Sequence, residues 1–236
     1  MANMIKKIKF QNKKVFFAFI FFSTIFFRGF SQEDSEQKIN RDINFFFTLG
    51  PVIQVNTDSS SAPNPVNFTA GIGFDFFTGK IIGLELKTNF FTGYALWDGK
   101  IFRPAEIENR TALVFNSLWD IDATHSWVFS SSQLQICAGL SFLLRYAILA
   151  NGIKSSQTSK YSTGTAGDDV KEINKSFYSD FNFLYPNLGL TWLYNFNAKW
   201  KAGFETKLYF PLGAIIDGRG LDSMLISIGV KALLVR

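Results

Sequence analysis

The sequence predicts an all-β protein: a closed antiparallel eight-stranded up-and-down transmembrane barrel. Three observations carry this. Apolar and polar residues alternate with period two in eight separate segments, the connections run long and short in turn, and one face of the segments is nearly free of charge. Of 236 residues, 47% are hydrophobic and 28 are Phe, so something extensive and apolar has to accept aromatic surface. With 18% charged residues the composition also argues against disorder.

The net charge of +5 invites a nucleic-acid reading, but its distribution removes it. Lys6, Lys7, Lys9, Lys13, Lys14 and Arg28 all lie in residues 1–31, which hold no acid. The rest carries eighteen bases against nineteen acids, so no phosphate-binding surface and no nucleic-acid partner is expected. One Cys and one His exclude a disulfide scaffold and a conventional Cys/His zinc site, and no cofactor is expected.

The basic stretch 1–14 is followed by the apolar run 15–27. As a helix that run rises only about 20 Å, short of the roughly 30 Å bilayer core. Gly29 and Ser31 then put small residues three before and one before Gln32, the layout of a cleavable secretory signal at 1–31. Residues 32–42 read as a polar lead-in and 43–236 as the barrel. No later stretch is long and apolar enough for a membrane helix.

The alternating segments are 43–55, 67–77, 82–91, 107–119, 133–149, 183–196, 200–210 and 224–235. The second is the cleanest, with Phe68, Ala70, Ile72, Phe74 and Phe76 opposing Asn67, Thr69, Gly71, Gly73 and Asp75; 107–119 is the least regular. The linkers 56–66, 92–106, 150–182 and 211–223 are long, whereas 78–81, 120–132 and 197–199 are the tighter ones. Outer-membrane barrels have long outside loops, tight periplasmic turns and both termini in the periplasm. Tryptophan is a further test. Trp119 and Trp127 flank one expected periplasmic turn, and Trp192, Tyr194 and Trp200 flank another, as an interfacial aromatic belt requires.

Alternation alone also fits a soluble, lipocalin-like barrel. Face chemistry separates the two, because a soluble barrel would carry many Lys and Glu on its wet face. Here the polar faces hold only Asp75, Glu85, Glu108 and Glu205 with Lys87, Arg110, Arg145, Lys201, Lys207 and Lys231, and Lys201 lies next to a turn. The other nine are expected to pair inside the lumen, nearly balanced in sign. Eight strands leave an interior that side chains fill, so no wide aqueous pore is expected.

These features resemble the small eight-stranded outer-membrane barrels of the outer-membrane protein A, X and W type, across residues 43–236. The resemblance is architectural. The last segment, Ser227-Ile228-Gly229-Val230-Lys231-Ala232-Leu233-Leu234, is similar to the C-terminal signal that barrel-assembly machinery reads, although it continues to Val235-Arg236 without a final aromatic. The resemblance implies an outer-membrane location, with outer-membrane lipid and that machinery as partners. Because the sequence stops at the eighth segment, the peptidoglycan-binding domain that outer-membrane protein A relatives append is not expected.

Some barrels of this size modify lipids and need a His–Ser arrangement with an acid near the outer rim. The one His, His125, falls in the expected periplasmic linker 120–132 and reads as a solvated turn residue. Cys137 reads as an inward space-filler, Asp168-Asp169 as a hydrated loop tip, and Gly79, Gly218 and Gly220 as turn formers. No catalytic or metal-binding residue is therefore expected. The loop 150–182 is polar with few apolar anchors; it is the expected site of an extracellular partner and of first proteolysis. The loop 92–106 offers Tyr94, Leu96, Trp97, Ile101 and Phe102 to the barrel mouth or to a hydrophobic partner. The expected function is a structural or surface-interaction barrel. The alternatives are a narrow conduit for small or hydrophobic solutes and a lipid-modifying enzyme.

Overall fold

The computed structural model describes residues 43–57, 64–76 and 82–235. The expected signal 1–31, the lead-in 32–42, the turn 78–81 with Gly79, and Arg236 lie outside the described residues. The strands are β1 (Ile43–Gln54), β2 (Val66–Phe76), β3 (Gly83–Trp97), β4 (Phe102–Ala105), β5 (Ala112–Val128), β6 (Ser132–Leu149), β7 (Leu184–Asn195), β8 (Trp200–Tyr209) and β9 (Leu225–Leu234). Two helices, α1 (Ala166–Ser176) and α2 (Leu212–Ile216), lie in the long connections.

Eight of these strands form a closed antiparallel barrel. Each pairs with its neighbour along the chain, and β1 returns to β9 with Phe45 opposite Leu234 and Gln54 opposite Leu225. The ninth, β4, is a short hairpin partner to the C-terminal end of β3. Among the described residues each of the eight strands is thus paired on both sides; an open edge in hydrocarbon would strand backbone N–H and C=O groups at several kcal/mol each.

The face assignments follow the alternation. Along β2, Phe68, Ala70, Ile72 and Phe74 are exposed outside while Thr69, Gly71, Gly73 and Asp75 are buried inside. The inward glycines make room for neighbours. The Phe46 ring lies over Gly73, and Thr48 and Asn89, bonded to each other at 3.1 Å, occupy the space at Gly71. The outer wall is apolar over its length, with Phe68 at 69% and Phe204 at 63% exposure. So large an exposed apolar surface marks contact with something other than water. Among the described residues no helix is long and apolar enough to cross a membrane.

Three boundaries differ from expectation. β3 runs on past Phe91 to Trp97, so residues 92–97 of the expected loop 92–106 are strand, with 92–95 paired with β5 from Phe115 to Ala112. Residues 107–119 are not one strand: Ile107–Asn109 is a 3-10 turn, and β5 starts at Ala112 and runs on to Val128. The tight linker shrinks to 129–131, because 120–128 pair continuously with Ser141 through Gln133. Asp120 and Asp122 disguise the strand by sounding like turn residues, yet they keep the inward parity of Asn116.

The loop 150–182 also differs. It folds into α1, whose Ile173 is fully buried together with the following Phe177. Their period-3.6 spacing with Val170 was hidden in a polar stretch. Thr165 caps the helix: its Oγ1 accepts from Asp168 N at 3.3 Å, and the Asp168 carboxylate accepts from Thr165 N at 3.4 Å. Asp169 is no hydrated tip; it is buried and accepts from the Ser159 and Ser162 hydroxyls, each at 2.5 Å.

Candidate functional site

The filled lumen and the loops above it form the candidate site. Nearest the short turns is an apolar layer of Phe46, Leu193 and Leu233. Above it lies an ionic layer built wholly from strand residues. Lys87 Nζ meets Glu205 Oε1 at 2.5 Å and Asp120 Oδ2 at 3.5 Å. Lys207 Nζ meets Glu85 at 2.7 Å, Asp120 at 3.3 Å and Asp122 at 2.5 Å. Lys231 Nζ meets Glu85 at 2.5 Å and Asp75 at 3.4 Å, and sits 3.9 Å above the Phe46 ring. Among the described residues, three ammoniums thus serve five carboxylates, a ratio less balanced than expected. Tyr209 Oη bonds to Asp120 at 3.0 Å, and Asn187 Nδ2 donates to Asp122 at 2.7 Å and to Ser141 at 2.8 Å.

Six of the nine anticipated lumen charges therefore meet: Asp75, Glu85, Lys87, Glu205, Lys207 and Lys231. Three do not. Glu108 is exposed in the 3-10 turn. Arg110 is outside the lumen, bonded to the Ile107 carbonyl and to Asn151 O at 3.4 Å. Both corrections have one cause, since the charged run 106–110 leaves the wall before β5 begins. Arg145 is inside, but away from the carboxylates. It lies between the rings of Phe102 at 4.6 Å and Phe177 at 4.5 Å, donating to Phe177 O at 3.4 Å and Asn182 O at 2.7 Å. Sequence reasoning missed Asp120 and Asp122; continuing the parity of β5 past Trp119 would have found them.

Above the ionic layer a second apolar layer spans the lumen, formed by Val52, Phe91, Leu118, Leu143, Tyr185, Tyr209 and Leu225. Higher still, Ile173 and Phe177 pack on Ala95, Phe102, Ala112, Val114 and Ala147. The void beside Asn116, Arg145 and Phe177 holds about 10 Å³. That is roughly one water at most.

The segment carrying α1 also completes the wall. Beyond the Phe142–Leu184 pair, β6 continues without β7 beside it. Tyr178 Oη accepts from Arg145 N at 3.1 Å and donates to Arg145 O at 2.7 Å. Asn174 does the same for Ala147, accepting at 2.9 Å and donating at 2.8 Å. Two side chains thereby stand in for a strand. On the facing hairpin, burial raises the Asp98 carboxyl, but the N–H groups of Ile101 and Lys100 and the Arg103 guanidinium outweigh it and hold the carboxyl below its usual range. At the helix start, the Thr165 hydroxyl and Lys171 likewise hold Asp168 low.

Of the anticipated aromatic belt, Trp127, Trp192, Tyr194 and Trp200 face outward at the short-turn end of β5, β7 and β8. Trp119 does not join them. It projects from the middle of β5, opposite Thr88 and Phe142, because the strand continues past it. His125 is also not in a turn; it belongs to β5, its ring edge-on to Trp127 at 4.4 Å. Cys137 is buried inside, opposite Thr124 and Gly189.

No family model matches the sequence, and no curated protein matches it at a significant level. Solved structures do match. The chain is similar to Neisserial surface protein A, at 8% identity over 81% of this chain and 96% of that one, with a TM-score of 0.51. It is similar to the outer membrane protein OprG from Pseudomonas aeruginosa at 11% identity, over 82% of this chain and 96% of that one, with a TM-score of 0.47. A major outer membrane protein from Thermus thermophilus matches at 10% identity, over 84% of this chain and all of the other, also at 0.47. The chain has the fold of the small eight-stranded outer-membrane barrels.

Proposed function

We propose that the chain is an integral outer-membrane protein with a sealed lumen, acting as a structural or surface-interaction barrel through its outer loops. In this reading both termini and the aromatic belt lie on the periplasmic side, and barrel-assembly machinery reads residues 227–234. The exposed face of α1, with Lys171, Glu172 and Lys175, meets any extracellular partner. Catalysis has no part in it.

The observation that carries the reading is the stacking of the ionic layer between apolar layers, capped by Ile173 and Phe177. An ion crossing the lumen would have to be stripped of water at each apolar layer. Reconstitution in planar bilayers tests this. The intact protein is expected to give no conductance steps, whereas reproducible steps would overturn the sealed lumen and favour the conduit. In intact cells, Lys175→Cys is expected to react with an impermeant maleimide; protection until the membrane is opened would invert the topology.

A further inference from the structure

The apolar wall is not uniformly rough. One cross-strand row runs Leu49, Ala70, Phe90, Ser117, Leu144 across β1, β2, β3, β5 and β6, and every member points outward. Large and small residues alternate in it, so Ala70 and Ser117 leave two hollows with the Phe90 ring as a ridge between them. The hollow over Ala70 is bounded by Phe47 and Ile72 and measures about 310 Å³. The one over Ser117 is bounded by Phe68, Phe115 and Tyr146, ends at Tyr178, and measures about 570 Å³. Phe90 lines both. Ser117 Oγ has no hydrogen-bond partner among the described residues, so size rather than bonding explains the residue.

Two strand spacings separate Ala70 from Ser117, about 10 Å. That suits two hydrocarbon chains lying on either side of one ring. Tyr178 adds a fixed end to the larger hollow, held by its two bonds to the Arg145 backbone. The hollows are continuous with the wall that faces the membrane, and Arg145, the charged residue among the described ones lining them, turns its guanidinium inward between Phe102 and Phe177, so this surface offers no charge to a protein partner. We infer that the wall holds one diacyl membrane lipid, an acyl chain in each hollow astride Phe90. The inference rests on the membrane reading of the wall.

The test uses the full protein in dioleoylphosphatidylcholine vesicles, followed by detergent exchange and native mass spectrometry. The intact barrel is expected to keep one diacyl lipid after loosely bound lipid is stripped. Ala70→Phe with Ser117→Phe fills both hollows on the outward face and is expected to lower retention about tenfold or more. Phe90→Ala, which adds no volume, is expected to lower it as well. A single-chain lysophospholipid should be kept less well than the diacyl lipid. Absence of a retained lipid, equal retention by the filled variant, or pairing of two copies through Ser117 would each overturn the inference. Failure of the membrane reading would look different, because no version of the protein would then float with vesicles.

Discussion

In the middle of the barrel, three ammoniums and five carboxylates among the described residues fill the lumen, all carried by strands that also form the wall. At the mouth the same width is closed by Ile173 and Phe177, carried by a helix in a loop. The two fillings differ in how their loss should spread. A lumen charge is anchored in the barrel's own hydrogen-bonded ladder, so removing it leaves buried partners that no local opening can rehydrate. The cap is tied to the wall by apolar contact and a few side-chain bonds, so it can come away while the barrel stands.

The largest effect is expected for Lys207→Met. It leaves Glu85, Asp120 and Asp122 short of their shared ammonium and should lower stability by about 3–5 kcal/mol. Urea unfolding in lipid vesicles measures it, and a change below about 1 kcal/mol would mean that the ionic layer is not a principal support. Next comes Ile173→Ala, with an expected loss of about 2–4 kcal/mol confined to the crown. Protease should then cut within 150–182 while the heat-modifiable band persists. Simultaneous loss of that band would erase the distinction between cap and barrel.

The smallest effect concerns acid. The Asp98 carboxyl is held low, so its contribution is present above the ordinary Asp value near about 4 and is lost as pH falls through the folded value. Acidification below about pH 4 should therefore loosen the 98–103 hairpin before the barrel, and Asp98→Asn should remove that pH dependence. Hydrogen exchange at Ile101 N–H reports it. Unchanged exchange across this range in the intact protein would contradict the assignment.

The barrel was largely legible because a strand in a two-solvent wall must alternate at every position. Phe68 to Asp75 states its two faces without help from any contact. The inward set at Asp75, Glu85, Lys87, Glu205, Lys207 and Lys231 was readable by parity. The boundaries were not, since Asp120 and Asp122 have turn-like chemistry and only their pairing with Ser141 and Gly139 makes them strand. Trp119 and His125 were displaced by that boundary, and Glu108 and Arg110 by the late start of β5 at Ala112. The crown was least legible, because Val170, Ile173 and Phe177 form too small an apolar stripe to stand out in a polar loop.

The sequence by itself determined which side chains face in and which face out, because period-two patterning is a local property of each strand. Only the tertiary structure decided which charges meet, that β6 borrows Asn174 and Tyr178 as a missing strand, and that Ala70 and Ser117 share one row. Those depend on register between strands distant in the chain. Register is set by closure of the whole ladder, and no single segment carries it.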